Sequence, residues 1–128
     1  MKKQVINLPD IKQPSSGFSH VVKAGDFIFL SSQLSVDLKT GEIIKGNIQD
    51  QTKRAMENIK YLLYKCGCSM DDIVKIVVYF RNLEDRKEIN EIYKEYFIVG
   101  QQPAKVSVQA VSPVEGIDIE IEATAFKN

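Results

Sequence analysis

The stretch Gln102-Pro103-Ala104-Lys105-Val106-Ser107-Val108-Gln109, with Asp118-Ile119-Glu120-Ile121-Glu122-Ala123-Thr124-Ala125-Phe126 behind it, decides how this chain is read. Both segments alternate polar and apolar residues with period two, the pattern of half-buried strands. In the first, Lys105, Ser107 and Gln109 share a face. In the second, Asp118, Glu120 and Glu122 share one face, and Ile119, Ile121, Ala123 and Ala125 the other. Brought together, such strands gather a lysine, a hydroxyl and carboxylates. That is either a polar pocket that binds an anion and handles a proton, or a solvated sheet face with a surface Lys105–Glu120 ion pair.

Upstream, Gly100 and Pro103 punctuate the return from helix to strand. Asn82 can cap a helix running to about Phe97, with Ile89, Ile92, Tyr93, Tyr96 and Phe97 inward. Ile73 to Phe80 is nearly all apolar and β-branched, so it reads as a strand buried on both faces. Before it lies the clearest helix, capped by Asn47 or Asp50 and ended by Gly67. Its stripe is Ile48, Thr52, Ala55, Met56, Ile59, Leu62, Leu63 and Cys66. Phe18–Lys23 and Phe27–Ser31 read as a hairpin about Ala24-Gly25-Asp26. Asp37 to Glu42 is a second turn. The order is strand, hairpin, helix, strand, helix, strand, strand. It predicts an α+β sandwich, one sheet with two helices on one face. Val106, Val108, Ile119 and Ile121 are expected to face the helices, with Lys105 and Glu120 on the other side. That second face is expected to be partly covered in an oligomer.

The 128 residues fit one domain, 1–128, with a real core. No run is long enough to cross a bilayer. The N-terminal stretch Met1 to Pro9 lacks the apolar core of a signal peptide, so a cytoplasmic location is expected. Lysine and arginine number 17, as do aspartate and glutamate, and the two signs are interspersed. A nucleic-acid partner, which needs a basic footprint, is therefore not expected. Cys66 and Cys68, separated by Gly67 alone, suit buried or half-buried thiols better than a disulfide or a zinc site. His20 is the single histidine, so no metal site is expected.

Landmarks along nearly the whole chain resemble the RidA/YjgF family of reactive-intermediate deaminases. They are Val22-Lys23-Ala24-Gly25-Asp26-Phe27-Ile28-Phe29-Leu30-Ser31, Gln33 and Asp37 to Gly41, then Gln51-Thr52 and Glu57-Asn58-Ile59. Asn90-Glu91-Ile92-Tyr93, Tyr96-Phe97, Pro103-Ala104 and Ile119-Glu120-Ile121-Glu122-Ala123 complete them. Their order and spacing carry the resemblance, not any one piece. It implies a chorismate-mutase-like fold and a homotrimer with ligand clefts between subunits. It implies hydrolysis of enamines and imines of the 2-iminobutanoate/2-iminopropanoate type to 2-oxo acids, without cofactor or metal. The small carboxylate ligand would then lie in an intersubunit cleft. An arginine after Pro-Ala would grip its carboxylate, and a glutamate of the last strand, here Glu120, would orient the attacking water.

This chain departs from that pattern. Lys105 stands where the arginine is expected, keeping the charge but losing the planar fork. Val106 removes a hydroxyl, and Ser107 replaces a cysteine or alanine. Phe18 replaces a tyrosine, His20 a glutamine, Ser32 a glycine and Arg86 an aromatic. The candidate catalytic residues are Glu120 and Lys105. The candidate ligand-binding residues are Lys105, Ser107, Phe18, Ser31, Ser32 and Asn90. Two functions compete: imine deamination in a divergent pocket, and a non-catalytic trimer that binds a small metabolite or regulates a partner. The family's older label as a ribonuclease or translation inhibitor finds no support in the zero net charge.

Overall fold

A computed structural model describes residues 2–128. The elements are β1 (Lys3–Val5), β2 (Val21–Ala24), β3 (Phe27–Leu30), α1 (Ile48–Lys65), β4 (Ile73–Phe80), α2 (Arg86–Tyr93), β5 (Ala104–Gln109) and β6 (Ile119–Phe126). They form one six-stranded sheet in the order β1-β2-β3-β6-β4-β5. β4 and β5 run parallel because α2 carries the chain back between them, and the other neighbours are antiparallel. The sheet is therefore mixed, with α1 and α2 packed against one face, as expected.

Why α1 forms is plain from its sequence. The Asn47 side chain accepts the Asp50 N–H at 2.8 Å, capping the first turn. Gly67, at φ +77°, takes the left-handed turn that ends it. Thr52, Ala55, Met56, Ile59, Leu62 and Leu63 are fully buried on its inner stripe. They meet Ile76 and Val78 of β4 and Ile119, Ile121, Ala123 and Ala125 of β6 in a single core. Truncating Leu62 there would cost about 2–5 kcal/mol. Cys66 is half-buried and Cys68 buried, both as free thiols.

The hairpin is present, but its first strand starts at Val21, which leaves Phe18 and His20 in the preceding loop. The second helix is shorter than its apolar stripe suggests. Single 3₁₀ turns at Leu83–Asp85 and Lys94–Tyr96 flank α2, and Asn82 makes no side-chain cap. The strand preceding the hairpin, which the pattern left without bounds, is β1.

Two facial assignments are corrected. β4 is covered on one side only: Ile76, Val78 and Phe80 are buried, while Lys75 is exposed and Val77 and Tyr79 are half-buried. More important, β5 is turned over. The register pairs Ile76 with Lys105, Val78 with Ser107 and Phe80 with Gln109, so the polar residues of β5 lie on the helix side. Val106 and Val108, paired with Val77 and Tyr79, lie on the open side. β5 is an edge strand exposed along its whole length, so its alternation marks two faces without saying which is inner. The open face also carries Phe27, Phe29 and Phe126, all exposed, with the Phe27 ring against each of the other two.

Candidate functional site

Glu120 is the second residue of β6, opposite Tyr79 of β4, on the open face of the sheet. Both of its carboxylate oxygens are engaged. Ser32 Oγ donates to Oε1 at 2.7 Å, and Ser112 Oγ donates to Oε2. The Ser112 oxygen itself accepts the Val114 N–H at 3.0 Å, so its one proton is directed at Glu120. Ser32 is placed by its neighbour. Gln33 N–H donates to the Ile121 carbonyl at 2.7 Å and the Ile121 N–H returns the bond at 2.9 Å, fastening the loop after β3 to β6. A cleft of ≈ 310 Å³ opens here, lined by Ser32, Tyr79, Ser112, Asp118, Glu120 and Glu122 among others. The Tyr79 hydroxyl donates to Glu122. That bond, aided by burial and the carboxylate charges, raises the tyrosine's pKa and keeps it a donor.

A buried amide supports this region from behind. Gln51 of α1 donates to the carbonyls of Gly46 and Gly116 at 3.0 and 3.1 Å and accepts the Asp118 N–H at 2.9 Å. It therefore fixes the start of β6 two residues before Glu120.

Ser32 also lines a second cleft of ≈ 380 Å³, walled by Phe18 and His20. The two rings meet edge to face, centroids 5.8 Å apart. His20 Nδ1 is buried without a partner, and burial lowers the imidazole's pKa, against a backbone hydrogen bond involving Lys12. Ser31 does not share this role. Its hydroxyl donates to the Ser19 carbonyl at 2.6 Å, tying down the loop that carries Phe18.

Lys105, Ser107 and Asn90 form a separate group on the helix side. Lys105 Nζ donates to Asn90 Oδ1 at 2.8 Å and stands 4.2 Å from the centroid of the Tyr93 ring. Although Lys105 as a whole is exposed, partial desolvation of its ammonium and, secondarily, the Arg86 guanidinium lower its pKa. Burial also pushes the Tyr93 hydroxyl up to about 12. Arg86, Asn90 and Ser107 line a hollow of ≈ 30 Å³.

Neither alternative offered by the sequence, a Lys105–Glu120 ion pair or a pocket that gathers both within one chain, is realised, since within one chain the two residues project from opposite faces of the sheet. Of the candidate residues, the fold brings Ser32 to Glu120 and Ser107 and Asn90 to the Lys105 side, while Phe18 lines the second cleft, which shares Ser32 with the first. Ser112 was not foreseen, because a serine before Pro113 reads as a turn residue. Nor was the Tyr79–Glu122 pair, because Tyr79 sits in an apolar run. Among the described residues no three His, Cys, Asp or Glu side chains are grouped to hold a metal ion. No described helix is long and apolar enough to cross a membrane.

Residues 10–127 match the family model described as Endoribonuclease L-PSP. A RutC family protein of Pyrococcus abyssi is 43% identical over 128 residues, covering 99% of each chain. A 2-iminobutanoate/2-iminopropanoate deaminase of Dermatophagoides farinae is 31% identical over 94% of each. The crystal structure of E. coli TdcF with bound serine superposes with a TM-score of 0.85 at 31% identity, covering 98% of this chain and 99% of that one.

Proposed function

Because this chain belongs to the RidA/YjgF family, the one matched by the endoribonuclease L-PSP model, we propose that it hydrolyses 2-imino acids to 2-oxo acids and ammonia. The observation that carries the proposal is Glu120, a carboxylate oriented by two hydroxyls at the floor of an open cleft. Each carboxylate oxygen has two lone pairs, so one on each remains for a water after Ser32 and Ser112 have bound. That water would add to C2 of the protonated imine as one of its protons passes to Glu120, giving a neutral carbinolamine. Glu120 then gives that proton to the nitrogen, ammonia leaves as the C=O forms, and the hydroxyl proton passes to the carboxylate and from it to the departing ammonia, which leaves as ammonium and restores the base. Serine, the molecule bound in the E. coli TdcF structure, is likewise a small amino-acid carboxylate.

The imine's own carboxylate needs a cation, and within one chain Lys105 is on the wrong side of the sheet. The active cleft is proposed to be shared, Lys105 of one copy facing Glu120 of the next in a homotrimer. The exposed apolar face with Phe27, Phe29, Val106 and Val108 supports this, since such a patch favours burial against another copy.

One observation favours a second reading, binding without turnover. Ser32 places a hydroxyl on the oxygen of Glu120 that a glycine there would leave to water. The discriminating experiment is a coupled assay in which an amino-acid oxidase generates imines from several amino acids and 2-oxo acid release is followed. Wild type should accelerate release, and Glu120→Gln should not. A folded oligomer that accelerates none of them would exclude deamination and leave the binding reading.

A further inference from the structure

Arg86 is the first residue of α2, and Asn90 stands one helical turn further on, on the same side. Asn90 accepts the Lys105 ammonium at 2.8 Å, and Arg86, Asn90 and Ser107 line one hollow. Lys105 is thus bonded to the Asn90 amide, and the exposed Arg86 lines the same hollow as that amide. Among the described residues the guanidinium has no hydrogen bond and no ion pair. The ion pairs are elsewhere, Lys65 with Asp10 and Lys127 with Asp72. Like charges held together without an anion are unfavourable, and a bound anion relieves them. The depression of the Lys105 pKa by Arg86 reports the same proximity.

We propose that Arg86 is a ligand-gripping residue, which with Lys105 clasps the carboxylate of a 2-oxo or 2-imino acid beside Asn90 and Ser107. The division of labour follows from side-chain chemistry. Lysine at 105 is a point charge already fixed by Asn90 and the Tyr93 ring, and it has no planar fork. Arginine at 86 carries that fork, with its donors unengaged, and can meet both oxygens of one carboxylate. The hollow holds little more than one small polar group, ≈ 30 Å³, so the remainder of the ligand projects past the β5 edge. Charge also closes. Two cations, the ligand carboxylate and the Glu120 carboxylate of the facing copy sum to zero. The inference takes its ligand class from the deaminase reading.

The test reads binding, not turnover. Binding of 2-oxobutanoate, an unreactive product-type acid, is measured by calorimetry for wild type, Arg86→Ala, Arg86→Lys, Lys105→Ala and the Arg86→Ala/Lys105→Ala pair. Arg86→Ala should weaken binding roughly 10- to 100-fold, Arg86→Lys should recover only part, and the double variant should not bind measurably. Unchanged thermal unfolding and oligomeric state in Arg86→Ala would separate a grip from a merely structural role. Affinity within a factor of about two of wild type in Arg86→Ala, or tighter through removal of repulsion from Lys105, overturns the inference. So does a wild type that binds no 2-oxo acid. A wild type that binds through Arg86 yet hydrolyses no imine would overturn the deaminase reading and leave the grip standing.

Discussion

Mixing two inactive variants tests the shared cleft directly. Lys105 pairs with Ile76 and Glu120 with Tyr79, three residues apart along β4, and β5 and β6 lie on either side of that strand. Two inter-strand steps and three residues of rise put their backbones roughly 14 Å apart, with the side chains on opposite faces. No rotamer joins them within one chain. Lys105→Ala and Glu120→Ala should each fall to background in the imine assay. Co-assembled in equal amounts, they leave a cleft intact where an intact Lys105 from the Glu120→Ala copy meets an intact Glu120 from the Lys105→Ala copy. For random assembly around a ring this occurs in about one quarter of clefts. The mixture should therefore recover about one quarter of wild-type turnover per site, with heterotypic assembly checked by native mass spectrometry of differently tagged copies. Mixed oligomers that stay at background would refute the shared cleft, since sites built within a single chain would each carry one lesion.

Two further outcomes follow from the hydrogen bonds. Ser112→Ala removes the hydroxyl on Glu120 Oε2 and should lower kcat roughly 3- to 30-fold with KM little changed. Ser112→Thr, which keeps the hydroxyl, should restore it, and an equal loss in both variants would count against a positioning role. Gln51→Leu strands the Asp118 N–H and the Gly46 and Gly116 carbonyls and should destabilise the fold by about 2–4 kcal/mol. Urea unfolding at fixed protein concentration should show an earlier midpoint at unchanged slope, and an unmoved midpoint would show that water replaces the amide.

What could be read from the residues alone was set by how much each local pattern constrains. The stripe of α1, with Asn47 before it and Gly67 after it, fits one structure. The alternation of β6 is equally decisive, because a core presses on Ile119, Ile121, Ala123 and Ala125. The same alternation in β5 has no such anchor. Its inner face is decided by the Ile76–Lys105 register that the α2 crossover imposes, a relation between residues 29 positions apart. The β-branched run of β4 misled for a related reason. Val77 and Tyr79 on its outer side carry apolar bulk although no helix of this chain packs on that face. Ser112 escaped notice because its importance lies in a partner eight residues on, across a loop.

The two halves of the candidate site share a property that bears on assembly. Glu120 is oriented by Ser32 and Ser112, and Lys105 by Asn90 and Tyr93, all within the one chain. Neither half needs a neighbour to set its rotamer, so ordering those side chains is a cost of folding and not of association. In the proposed oligomer, association would have only to place one half opposite the other, and the exposed apolar face would drive it. Side chains already fixed also lose little freedom when a ligand arrives, which favours a small carboxylate that makes few contacts. On this view the departures at positions 32, 86 and 105 form one coupled set. A hydroxyl steadies the base, and a lysine seated on an aromatic ring leaves the fork to an arginine from the adjacent helix.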